Sequence, residues 1–103
     1  MRLYREIKLS SAAREDIIRL QHFLVEHLSR RGMIRYTDDI MSEVQSLTLY
    51  ADLFHTSRYA EIRAIHPKAR RMVSHNRRWA YVFHIEEEAV IVDRILPAKM
   101  IKG

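Results

Sequence analysis

Residues 69–96 read ARRMVSHNRRWAYVFHIEEEAVIVDRIL, and the fold turns on this stretch. Two runs within it, Trp79 to Ile85 and Ala89 to Leu96, are dense in aromatic and β-branched side chains, which fit a pleated, half-buried surface. Glu86, Glu87 and Glu88 between them are too few for a helix and suit a hairpin loop. Arg70 to Ser74 reads as a further, weaker strand. His75 to Arg78 then makes a turn in which Asn76 tolerates left-handed backbone. The expectation is a three-stranded antiparallel meander loaded with arginine. Side chains alternate along a strand, so Ala80, Val82 and His84 share one face while Trp79, Tyr81, Phe83 and Ile85 share the other. The aromatic set is the expected core face, which leaves His84 exposed on the opposite side.

The rest of the chain has to cover that core face. Residues 1 to 9 alternate, with Met1, Leu3, Arg5, Ile7 and Leu9 on one side, and read as an opening strand. Ser10 and Ser11 offer cap oxygens for a helix whose early turns carry Glu15 and Asp16, favourable near the positive end of the dipole. Ala13, Ile17, Leu20, Phe23, Leu24, His27 and Leu28 recur at helical spacing; Arg30 and Arg31 suit the last turn, with Gly32 ending it. After a link over residues 33–36, Thr37, Asp38 and Asp39 open a second helix with Ile40, Met41, Val44, Leu47, Ala51 and Phe54 as its stripe. Leu49 and Leu53 fall on its other side, either as a partner contact or, the leading reading, as the singly exposed leucines common on surfaces. A short link makes the two helices an antiparallel hairpin. Residues 55–68 show little periodicity, and Pro67 ends whatever forms there.

The order strand, helix, helix, meander predicts an α+β fold: a small four-stranded sheet covered on one face by two helices. All 103 residues make one domain around one core. The chain holds no cysteine, which excludes disulfide and thiolate chemistry. No apolar run reaches the roughly 20 residues of a membrane span, and the first ten residues lack the apolar core of a secretion signal; the expected location is cytoplasmic.

The net charge of +5 is unevenly spread. Between residues 58 and 78 stand Arg58, Arg63, Lys68, Arg70, Arg71, Arg77 and Arg78 against Glu61, a local surplus larger than that of the whole chain. Such a field draws polyanions, unless it is simply a solvated face. No phosphate loop is built from two glycines, and the histidines show no metal-ligand spacing; His22 and His27 stand five apart. Neither a metal nor a small-molecule cofactor is expected. Ser74, His75 and Asp93 lack the surroundings of a nucleophile elbow.

The order of elements, the first helix with Ala13, Asp16, Ile17 and Leu20, Arg71 in the second strand, Tyr81 and Phe83 in the third, and Ile91 to Leu96 in the fourth resemble the RelE/ParE toxin superfamily. That resemblance implies the toxin of a two-gene toxin–antitoxin (plasmid stabilisation) module, silenced by a cognate antitoxin that wraps helices and sheet. RelE-like members cleave mRNA in the ribosome without a metal; ParE-like members block DNA gyrase and are not nucleases. The leading expectation is a basic sheet face acting on RNA or the ribosome; the alternatives are a ParE-like gyrase inhibitor and an inactive relative that only binds its antitoxin. By position, Arg71 and Arg78 match the family's phosphate-binding residues, and His84 is the candidate acid or base. Arg63, Lys68, Arg70 and Arg77 are the candidates for further nucleic-acid contacts. Metal-free cleavage asks for such a set, since guanidinium matches phosphate and imidazole moves protons near neutral pH. The resemblance also implies a Tyr or His just after the last strand, where this chain reads Pro97-Ala98-Lys99-Met100-Ile101.

Overall fold

The computed structural model describes residues 5–100. Along the chain run β1 (Glu6–Leu9), α1 (Ser11–His27), α2 (Arg30–Tyr50) with a 3-10 turn at Ala51–Leu53, and a single-turn α3 (Ala60–Arg63). The meander follows as β2 (Arg70–Val73), β3 (Trp79–Glu86) and β4 (Ala89–Pro97), and a second 3-10 turn spans Ala98–Met100. The sheet order is β1-β4-β3-β2. The meander is antiparallel as expected, but β1 takes the outer edge of β4 and runs parallel to it, Ile7 beside Val90 and Leu9 beside Val92. The sheet is therefore mixed. The opening strand is shorter than its sequence pattern, and the pattern's Met1 and Leu3 lie outside the described residues.

Both helices turn their apolar stripes to one face of the sheet. Ala13, Leu20 and Leu24 of α1 and Ile40, Val44 and Leu47 of α2 close over Tyr81, Phe83, Val90, Val92 and Ile95. Tyr81 and Phe83 are fully buried, as the alternation demanded. Ser10 caps α1 by accepting from the Ala13 amide at 3.0 Å, and its hydroxyl donates to the Asp93 carbonyl at 2.8 Å, tying the helix start to β4. Leu49 and Leu53 are 59% and 71% exposed.

The joint between the helices lies earlier than the sequence suggests. The first helix stops at His27, Leu28 is extended, and Ser29 caps α2 by accepting from the Gly32 amide at 3.1 Å. Arg30, Arg31 and Gly32 thus form the first turn of α2, and residues 33–36 are helical. A serine oxygen that meets a free amide starts a helix, and that outweighed the C-terminal look of Arg-Arg-Gly.

Both turns of the meander use positive backbone φ at non-glycine residues. Glu87 (φ 56) lies in the two-residue loop that joins Glu86 to Ala89. In the other turn the left-handed residue is Arg77 (φ 64), not Asn76. Asn76 contributes its side-chain oxygen instead, which accepts from the Ser74 hydroxyl and the Arg78 amide at 2.7 and 2.9 Å.

The far face of the sheet is not bare. Ile62 and Ala69, from the segment that the sequence left unread, pack on Ala80 and Val82 as a second, smaller apolar cluster. This overturns the expected exposure of His84, which is only 6% exposed under that cover. It also divides the apolar interior between two faces, where a single core was expected. Between Val82 and Phe83 the pairing with β4 slips by one residue, leaving Asp93 as an extra residue in β4. Such a bulge re-aims side chains. Asp93 meets His84, whereas Arg94 and Ile95 reach the Asp16 carboxylate of α1.

Candidate binding groove and basic surface

The start of β3 and the end of β4 lie side by side, Trp79 opposite Pro97 and Ala80 opposite Leu96. The Ala98 amide donates to the Arg78 carbonyl at 2.9 Å and holds the following turn against them. α1 passes alongside, and the space enclosed is a groove of 720 Å³. Leu20, Phe23, Trp79, Leu96, Pro97 and Met100 give it an apolar lining. Arg19, Arg77, Arg78, Arg94 and Lys99 make it strongly cationic. Trp79 is oriented by its indole N–H, which donates to the Tyr36 hydroxyl at 2.8 Å.

The carboxylate in the groove, Asp16, is already spoken for. It accepts from Arg94 at 2.8 and 2.9 Å, from Arg19 at 2.7 Å and from the Ile95 amide at 2.9 Å. Burial alone would raise its pKa; the hydrogen bonds from Arg94, the Ile95 amide and Arg19, with the charge of Arg94, outweigh burial and hold it below the usual carboxylate value. The Arg94 guanidinium is raised in turn, chiefly by its bond to Asp16. Asp16 is therefore an internal ion-pair partner, not the dipole-compensating charge that the sequence suggested. The groove keeps a positive surplus and an apolar floor.

The sequence-derived candidates fall into separate places. Arg77 and Arg78 border the groove. Arg71 lies on the far face of the sheet, opposite Val82, with its guanidinium 5.9 Å above the Tyr59 ring. There it borders a shallower cleft of 330 Å³ with His55, Thr56, Ser57 and Arg58. Arg63 and Lys68 are exposed on the segment over that same face. Arg70 pairs with Phe83 on the helical side, where its Nη1 donates to the Ala51 and Phe54 carbonyls at 3.3 and 2.8 Å. It serves as an internal strut between β2 and the end of α2.

His84 sits in a polar knot. Its Nδ1 is 2.7 Å from Asp93 Oδ2 and its Nε2 is 3.3 Å from Glu86 Oε2. Its ring stacks on that of His66, with centroids 3.6 Å apart and planes 2° from parallel. It stands six positions along the chain from Arg78, a span of about 20 Å at the rise of a β-strand. Arg78 and His84 cannot meet on one phosphate, whereas Arg71 and His84 share a face. Among the described residues no group of three or more His, Asp or Glu could hold a metal ion, and no helix is long and apolar enough to cross a membrane.

Arg19, Phe23, Arg94 and Lys99 escaped the sequence reading as site residues. One signal for them was available: an antiparallel β3–β4 hairpin with a tight loop necessarily carries residues 97–99 back beside Arg78.

No family model matches this sequence, and no curated protein does. Among solved structures, the chain is similar to one described as the chromosomal ParDE TA system from P. aeruginosa. The TM-score is 0.77 at 14% sequence identity, over 93% of this chain and 98% of that one. The four-stranded sheet with its helical cover is thus the fold of a chain from a ParDE system.

Proposed function

We propose that this protein is the toxin of a toxin–antitoxin pair, that it acts by binding, and that its groove receives an acidic, apolar-studded segment of the antitoxin. The observation that carries the reading is the groove itself: five cationic side chains around an apolar floor, with its carboxylate already paired. Guanidinium groups at a rim steer an acidic segment in, and the apolar floor supplies the area that holds it. Among the described residues the groove contains no histidine or tyrosine to move a proton, which favours a gyrase-type inhibitor over a nuclease. The likeness to a ParDE chain supports the toxin–antitoxin reading that both branches share.

A second reading rests on the far face, where Arg71 and His84 lie together with Arg63 and Lys68 on the covering segment. That set would bind RNA and cleave it without a metal, as in the RelE-like branch. Inducible expression in a bacterium separates the two. Growth arrest with intact mRNA ends and inhibited supercoiling by purified gyrase supports the binding toxin. Arrest with new codon-phased mRNA ends, lost in Arg71→Ala, establishes the nuclease. Absence of arrest overturns both. Arg78→Glu with Lys99→Glu should weaken capture of an antitoxin by roughly tenfold or more and reduce its salt dependence.

A further inference from the structure

We propose that His66 and His84 form a proton-operated latch that holds residues 60–69 against the far face of the sheet. Carboxylates only accept hydrogen bonds. The two nitrogens of His84, at 2.7 Å from Asp93 and 3.3 Å from Glu86, are satisfied together only when both carry hydrogen, in the imidazolium form. His66 has the opposite requirement. Its Nδ1 accepts from the Lys68 amide at 3.0 Å, and a ring that accepts at Nδ1 is neutral, with its proton on Nε2. The parallel stack at 3.6 Å therefore joins one cationic ring to one neutral ring.

A proton added to His66 does two things at once. It puts an N–H where the Lys68 amide needs an acceptor, and it sets two cations face to face. Asp93 and Glu86 are engaged with His84. Lys68 follows on the segment itself, Arg71 stands on the same face of β2, and Lys8 of β1 lies beside Ile91 on β4. Ala69, which leads into β2 next to His84, is uncharged; α3, on the same face, carries Glu61 and Arg63, and α1 and α2 lie across the sheet. The latch is closed while His66 accepts at Nδ1 and opens when that nitrogen takes a proton. Opening frees Ile62 and Ala69 from Ala80 and Val82 and displaces Arg63 and Lys68, two cations of the far face.

Amide hydrogen exchange tests this, read as protection factors for Ala64, Ile65 and Ala69 between about pH 7.5 and about pH 5.5, the range in which histidine changes charge. In the wild type, protection of these amides should fall by about tenfold or more while that of Tyr81 and Val92 holds. His66→Phe keeps a stacking ring that takes no proton, and its segment should lose no protection. An equal fall in both proteins, or no fall in the wild type, overturns the latch. If His66→Phe does not fold, imidazole ¹⁵N shifts of the wild type near neutral pH decide. A bare Nδ1 on His66 with both His84 nitrogens protonated supports the latch, and any other pattern overturns it.

Discussion

Asp16 and Arg94 stand 78 residues apart in sequence and meet as a two-pronged ion pair, Nε to Oδ2 at 2.8 Å and Nη2 to Oδ1 at 2.9 Å. The pair joins the middle of α1 to β4 just beyond the bulge, and the Ile95 amide closes on the same carboxylate. Asp16 is 7% exposed, so little water competes for it. Asp16→Asn keeps the shape but removes the charge and one of the acceptors. It should cost about 2–4 kcal/mol, because Arg94 and a buried amide lose their partner together. Urea denaturation reads this as a lower midpoint at unchanged slope; an unmoved midpoint would show the pair to be energetically idle.

The same carboxylate shapes acid stability. Its pKa in the folded protein lies below the ordinary value of an aspartate. A depressed carboxyl contributes stability that is fully present above its unfolded pKa and is lost as pH falls through the folded one. Wild type should therefore lose stability faster than Asp16→Asn below about pH 4. Parallel acid limbs in the two proteins would contradict the assignment.

In the core, Tyr81 and Phe83 are equally buried but differ in what they hold. Phe83 meets Phe54 edge to face, with centroids 5.9 Å apart, and Phe83→Ala should cost about 3–5 kcal/mol. The Tyr81 hydroxyl donates to Glu43 Oε1 at 3.3 Å, while Glu43 Oε2 also accepts from the His75 amide at 2.7 Å. Tyr81→Phe leaves that second bond in place and should cost only about 0.5–1.5 kcal/mol. Burial, and then the nearby Glu43 charge, push the Tyr81 phenol far above its ordinary pKa. Alkaline spectrophotometric titration of the folded protein should show this tyrosine silent until unfolding; a normal ionisation would refute the placement.

At the helix joint, Ser29→Ala removes the side chain that caps α2 and should cost about 1 kcal/mol, visible as a lower thermal midpoint. Leu53→Ser, at the exposed end of the 3-10 turn after α2, should stay within about 0.5 kcal/mol of wild type. A larger loss at Leu53 than at Ser29 would reverse the assignment of what is buried.

What the sequence disclosed followed how locally each feature is encoded. The meander was legible almost residue by residue, since alternation from Trp79 to Ile85 and the glutamate loop are signals within one short window. The helix joint was misplaced because Arg30-Arg31-Gly32 resembles an ending, while the deciding contact, Ser29 Oγ to the Gly32 amide, is a matter of geometry. His84 was read as exposed because its cover comes from residues 60–69, where no period shows that Ile62 and Ala69 point inward. The groove was hidden for a related reason. Arg19, Arg78, Arg94 and Lys99 come from separate stretches, and only strand register and helix placement bring them together. Arg70 shows the limit of counting charge: it belongs to the basic run, yet its guanidinium is spent on the Ala51 and Phe54 carbonyls.

The edge position of β1 sets an order of events during synthesis. Among the described residues its partner in the sheet is β4, so Glu6 waits for Ala89 and Leu9 for Val92. The helical pair is complete by Tyr50, long before β3 and β4 exist to receive its stripes. At ribosomal speed the missing stretch to Ala89 takes about 2–8 s, far longer than a helix or hairpin needs to form. Through that interval Leu20, Leu24, Val44 and Leu47 face water, and the half-made chain is more prone to aggregate than the finished one.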